Sequence, residues 1–132
     1  MIESRENLED KSLPLICLEE IKEAPLERGG VSKAFNIRNE EGLTIGECVV
    51  DIKERTVQMS AISIIPDYRR KGYGKAAYLE IGKQFSDCKF TSDRYNSLSD
   101  DAKGVWESLI KDGLAHKTEN GYAMEEEENG ET

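Results

Sequence analysis

The feature that most constrains this chain is a change of hydrophobic period at Pro66. Before it, three runs alternate apolar and polar residues: Val31–Arg38 (VSKAFNIR), Leu43–Ile52 (LTIGECVVDI) and Val57–Ile65 (VQMSAISII). Successive side chains on a strand point to opposite faces, so this alternation predicts half-buried strands. In the second run Ile45, Glu47, Val49 and Asp51 fall on one face, and Gly46, Cys48, Val50 and Ile52 on the other. The connections, Asn39-Glu40-Glu41-Gly42 and Lys53-Glu54-Arg55-Thr56, are short and polar, which predicts an antiparallel meander. Beyond Pro66, apolar residues recur at helical spacing. Ala77, Ile81 and Phe85, with Ala76 and Leu79 beside them, predict a helix over Lys71–Phe85. Ala102, Val105, Trp106, Leu109 and Ile110 make a second and clearer stripe. Ser99 is a good N-cap for it, Asp100 and Asp101 suit its first turn, and Gly113 closes it. Strands followed by helices of this kind point to a mixed α+β fold, with a mostly antiparallel sheet and two main helices.

Shorter elements fill the rest. Leu13–Ile21 (LPLICLEEI) reads as a first strand with Pro14 near its start, and Ala24–Gly30 (APLERGG) as a breaker-rich connection. Cys88–Ser92 is a short strand candidate. LAHKTENGYAM reads as two strands around the tight-turn signal Asn120-Gly121. Residues 1–12 form a charged leader, residues 13–124 a single domain, and residues 125–132 (EEEENGET) an acidic tail expected to be disordered.

Composition narrows the function. Asp and Glu number 27 against 18 Lys and Arg, a formal net charge of −9. That balance argues against nucleic-acid binding, which needs clustered bases against phosphate. No apolar run approaches the roughly 20 residues of a membrane helix. The acidic, polar N-terminus lacks the pattern of a secretory signal, so a cytoplasmic location is expected. Three Cys (Cys17, Cys48, Cys88), widely spaced and without a CxxC pair, suggest neither a disulfide framework nor a zinc site. They are expected to be reduced, small and buried. His116 is the single His and reads as an exposed strand residue, so no metal site is expected.

One segment stands apart from the acidic remainder. Ile64–Lys75 (IIPDYRRKGYGK) lies where a strand gives way to a helix, and residues 69–75 hold four bases and no acid. A glycine-containing strand-to-helix turn exposes main-chain N–H groups at the positive end of a helix, an arrangement that binds anions and above all phosphates. Gly72 and Gly74 let such a ligand approach the backbone closely. Two nucleotide motifs are excluded. Gly74-Lys75 is followed by Ala76 where a mononucleotide loop needs Ser or Thr, and a dinucleotide fingerprint needs a βαβ setting and a Gly where Ala77 stands.

Arg69-Arg70-Lys71-Gly72-Tyr73-Gly74 resembles the Gln/Arg-x-x-Gly-x-Gly/Ala loop of the GNAT superfamily of N-acetyltransferases. Ile64-Ile65-Pro66-Asp67-Tyr68 resembles that family's V-x-P-x-Y lead-in, and the order of elements over residues 31–124 is similar too. The resemblance implies that acetyl-CoA is the cosubstrate, its pyrophosphate held by main-chain amides of residues 70–75, with Arg69, Arg70, Lys71 and Lys75 supplying positive charge around it. It also implies that the strand ending at Ile64-Ile65 pairs through its main chain with the pantetheine arm. The strand near Cys88–Ser92 would splay away to admit that arm.

The chain also departs from the family. Its usual N-x-x-A-x-x-L-Y helix carries a Tyr that protonates the departing thiolate, whereas Ser99–Trp106 places Trp106 there. An indole N–H donates hydrogen bonds but is no useful acid, so Trp106 reads as a core residue. Val57–Ser63 offers Gln58, Ser60 and Ser63 but no carboxylate as a base. Glu47 and Asp51 are the remaining base candidates, against the simpler reading that they are solvated acids of a strand face. The helices that the family inserts between its first two strands have no room here, which predicts an open acceptor side. The expectation is an acetyltransferase acting on a primary amine of a small molecule, peptide or protein, as a monomer or homodimer. The alternatives are a non-catalytic acyl-CoA-binding or protein-interaction module on the same scaffold, and an unrelated anion-binding α+β domain.

Overall fold

In a computed structural model of the chain, residues 13–125 are described. The expected leader and all of the expected tail beyond Glu125 lie outside them. Seven strands and two helices follow one another as β1 (Cys17–Pro25), β2 (Val31–Arg38), β3 (Thr44–Lys53), β4 (Thr56–Ile64), α1 (Tyr73–Gln84), β5 (Lys89–Thr91), α2 (Asp100–Lys111), β6 (Ala115–Lys117) and β7 (Tyr122–Met124). The strands make one sheet in the order β1-β2-β3-β4-β5-β7-β6. Every pair is antiparallel except β4 with β5. The fold is therefore mixed α+β, as the change of period predicts. Among the described residues, no helix is long and apolar enough to cross a membrane.

The meander forms because alternation and turn chemistry agree. Phe35, Cys48 and Ile62 are cross-strand neighbours on one face, and Asn36, Glu47 and Ser63 are neighbours on the other. Both helices pack on the first face. Phe85 meets Phe35 edge-on, and Trp106 of α2 lies against Tyr78, Phe90 and Tyr122. These residues join Ile37, Val50, Val57, Ile81 and Leu109 in a single apolar cluster. Trp106 is 1% exposed, a core aromatic as expected. Among the described residues no helix covers the other face. An antiparallel sheet tolerates this when that face is polar.

The second helix is closed at both ends by local chemistry. Ser99 Oγ accepts from the Ala102 N–H at 3.1 Å. Beyond Lys111, Gly113 takes φ +78°, while the Gly113 and Leu114 N–H groups donate to the Ile110 and Leu109 carbonyls. This left-handed glycine termination satisfies carbonyls that would otherwise be orphaned.

Three sequence expectations are corrected. The first strand lies four residues later than Leu13–Ile21 suggests and runs through Ala24 and Pro25. It is an edge strand whose residues are mostly exposed, so pairing with β2 across the Leu26–Gly30 turn positions it, and hydrophobicity does not. Pro25, its last residue, is tolerated at an edge. The second correction concerns Ile45, which alternation places with Glu47 but which is fully buried. Ile37 pairs with Gly46 and Arg38 with Thr44, so Ile45 is the extra residue of a bulge that breaks the period. The third concerns the thiols: Cys48 is buried, but Cys88 is only half-buried and Cys17, at the start of the edge strand, is exposed.

Candidate functional site

The basic, glycine-containing loop sits between the end of β4 and the start of α1. A single helical turn over Pro66–Tyr68 leads into it. Arg70 has φ +63° and Gly72 φ +90°. The first is an uncommon conformation for a residue with a Cβ and costs about 1–2 kcal/mol. Gly72 is the residue preceding α1, and no side chain caps that helix. Among the described residues, the N–H groups of residues 70–75 have no backbone acceptor. The two helices thus differ: Ser99 closes the start of α2, whereas the start of α1 presents unsatisfied donors. A Cβ added at Gly74 would meet nothing within 4 Å, so the space in front of this helix end is open.

The charges of the loop are not equivalent. Arg69 turns back and donates through Nε to the Ile64 carbonyl at 2.7 Å. The Lys75 ammonium pairs with Asp112 at the end of α2. Lys71 Nζ stands 6.0 Å from the centre of the Tyr68 ring, and Tyr68 packs edge-on against Tyr73 at 5.6 Å. Arg70 and Lys71, exposed and in no ion pair among the described residues, are the cations left to an incoming anion.

Beside the loop the sheet opens. Three residue pairs join β4 to β5: Thr56 with Lys89, Val57 with Phe90 and Gln58 with Thr91. From Met59 onward β4 continues without a partner on that side among the described residues. Gln58 Nε2 donates to the Ser92 carbonyl at 3.1 Å and ties the two strands at the vertex of the slot. Val49 pairs with Ala61 and Val50 with Met59, so Ser60 is an extra residue that bulges β4 just past the vertex. At its other end the main chain is already engaged. The Ile64 carbonyl accepts from Arg69, the Ile65 N–H donates to Ile45, and the Ile65 carbonyl accepts from Tyr68. The free edge therefore lies over Met59–Ser63, upstream of the Ile64-Ile65 pair singled out in the sequence.

The two base candidates are on one face but far apart. Glu47 is exposed between Asn36 and Ser63. Asp51 lies four residues along β3, about 13 Å away at 3.3 Å per residue. It is half-buried between Ser32 of β2 and Gln58 of β4, and Gln58 in turn neighbours Thr91. Ser32, Asp51, Gln58 and Thr91 thus make a polar row across four strands, ending at the vertex of the slot. Sequence reasoning missed this row, the bulge at Ser60 and the Gln58–Ser92 tie, because all three are set by register between strands.

Tyr78, Tyr95 and Tyr122 supply no ready acid. Tyr95 donates to the Thr118 carbonyl at 3.1 Å and Tyr122 to Glu107 at 2.7 Å. The Glu107 hydrogen bond and desolvation push Tyr122 up to about 12, and burial next to Cys48 does the same for Tyr78. Burial, with the Glu47 charge nearby, pushes the Cys48 thiol up to about 12, so it is inert. Cys88 is raised by burial and by Asp87. His116, exposed as expected, faces Glu125 at 3.0 Å. Among the described residues no group of three His, Cys, Asp or Glu could hold a metal ion. In comparisons with known proteins, the chain matches no family model and no curated protein.

Proposed function

We propose that the chain is an acetyl-CoA-dependent N-acetyltransferase of the GNAT type acting on a primary amine. The observation that carries this reading is one juxtaposition: a helix start with unsatisfied N–H groups adjoining a slot where β4 runs free of β5. The first suits a pyrophosphate, because donors and helix dipole converge there. The second suits an extended amide-bearing arm, which adds to a free strand edge through main-chain hydrogen bonds. From Ile64 back to Ser60 the strand spans about 13 Å, so the arm would carry its acyl end toward the bulge and the polar row.

In the proposed reaction an ammonium loses one proton to a carboxylate, and the freed amine attacks the thioester carbon. A C–N bond forms and the C–S bond breaks. The second nitrogen proton passes, directly or through solvent, to the departing sulfur, which leaves as a thiol. Asp51 is the better placed base, since its row includes the last residue joined to β5, whereas Glu47 lies toward the open end. Binding and positioning carry most of the rate, because Trp106 stands where the resemblance expects a tyrosine acid.

Calorimetric titration with acetyl-CoA tests the reading, with Gly74→Val as the key variant. Open space at Gly74 means that valine leaves the melting temperature nearly unchanged. It fills the approach to the helix end, so affinity should fall at least about tenfold, equivalent to 1.4 kcal/mol. Equal binding by the variant sinks the anion-site reading. Because the hydroxyls of Tyr95 and Tyr122 are engaged and Tyr78 is buried, a non-catalytic acyl-CoA-binding module is the second reading. It prevails if acetyl-CoA binds but thiol release over a panel of amines never exceeds the uncatalysed rate.

A further inference from the structure

The turn between β1 and β2 makes a depression on the uncovered face, which takes in Asp51 and Gln58 of the polar row. Gly29 and Gly30 have φ +97° and +92°. Leu26 exchanges hydrogen bonds with both, donating to the Gly30 carbonyl and accepting from the Gly29 N–H. A Cβ at Gly30 would collide with the Ile52 carbonyl oxygen, so the turn is pressed against the end of β3. Its floor and rim carry Glu27, Arg28, Asp51, Lys53, Thr56 and Gln58.

The charges here are the informative part. Glu27, Arg28, Asp51 and Lys53 line one depression, two charges of each sign, yet none belongs to an ion pair among the described residues. Elsewhere on this sheet neighbouring opposite charges do pair, as Lys33 does with Glu20 and Arg38 with Glu19. Asp51 and Lys53 lie two residues apart on one face of β3, about 6.6 Å along the strand. Both side chains therefore face the same space, and they are not paired with each other. Half-buried between Ser32 and Gln58, the Asp51 carboxylate has cross-strand neighbours that can hydrogen-bond and no ion-pair partner among the described residues.

We infer that this depression binds a small zwitterion, its ammonium at Asp51 and its carboxylate at Lys53 and Arg28. A molecule with a single charge would leave one of these groups facing a ligand with nothing to offer it. A dipolar one satisfies both, and Gln58 and Thr56 remain for its polar flanks. If the chain transfers acetyl as proposed above, this zwitterion is the acceptor, its amine delivered to Asp51 beside the slot. That last role rests on the acetyl-transfer reading; the binding does not.

The test is a nuclear magnetic resonance titration of the full chain with 4-aminobutanoate, using butylamine and butanoate as analogues lacking one charge each. The zwitterion should shift backbone resonances of residues 26–30 and 51–58, with each analogue at least about tenfold weaker. Asp51→Asn and the pair Arg28→Gln with Lys53→Gln should each weaken it comparably while leaving the melting temperature intact. Equal binding of butylamine by the wild type, indifference to Asp51→Asn, or shifts that map elsewhere would overturn the site. A second arm adds acetyl-CoA and follows thiol release. Binding of the zwitterion without its acetylation removes the acceptor role. Failure to bind acetyl-CoA at all removes the acetyl-transfer reading, and the titration still decides the site.

Discussion

The two faces of this sheet are built from alternate residues of the same strands and behave as different materials. On the covered face Phe35, Cys48, Val50, Val57 and Phe90 are buried beneath both helices. On the uncovered face Ser32, Asp51, Gln58 and Thr91 stand half-buried in a row. Because successive side chains alternate, the buried core is written in one parity and the proposed chemistry in the other. A substitution therefore reports on the parity it belongs to, which makes the two separable by measurement.

Removing Trp106 strikes the covered face hardest. It touches three other aromatic rings, and Trp106→Ala should cost about 3–5 kcal/mol by denaturant unfolding. Titration of Cys48 comes next. Its folded value near 12 lies above the ordinary 9.0, so the buried thiol favours the folded state fully below pH 9 and loses that contribution as the pH rises toward 12. Alkaline unfolding across that window should be shallower in Cys48→Ala than in the wild type, by on the order of a few kcal/mol at 1.36 kcal/mol per pKa unit. On the uncovered face the pattern reverses. On the acetyl-transfer proposal, Asp51→Asn should lower amine acetylation at least about 10²-fold, as loss of a general base does, while moving stability by no more than about 0.5 kcal/mol. Glu47→Gln should change neither, and an equal loss in both variants would show that the row has no special standing. The smallest effect belongs to neither face: Ser99→Ala should cost about 1 kcal/mol of stability through the lost cap, with acetyl-CoA affinity unchanged.

Much of the covered face was legible in the sequence. Val31–Arg38 is a strand with those very bounds, β3 and β4 are each displaced by one residue, and both helix stripes and the Ser99 cap fall where spacing puts them. Local chemistry decides such features. Features decided by pairing were not legible. The edge strand β1 has few buried residues to mark it, and the bulges at Ile45 and Ser60 exist only relative to a neighbouring strand. The site divides in the same way. Gly72 and Gly74 announce the loop, since only a helix start with room before it needs them so placed. Nothing in the sequence distinguishes Asp51 from Glu47; their difference is the residue each faces across β4.

The joint between β4 and β5 has a consequence for how the chain acquires its shape in time. Strands β1 to β4 are linked by hairpins, so their contacts are close in sequence and form early. β5 joins only after α1 has been laid down between them, by three residue pairs. During synthesis from the N-terminus, at about 5–20 residues per second, the four strands of the meander emerge before α1 does. For that interval Phe35, Cys48 and Val50 face water with nothing over them. The nascent chain is most adhesive at that moment, just before the loop and α1 emerge.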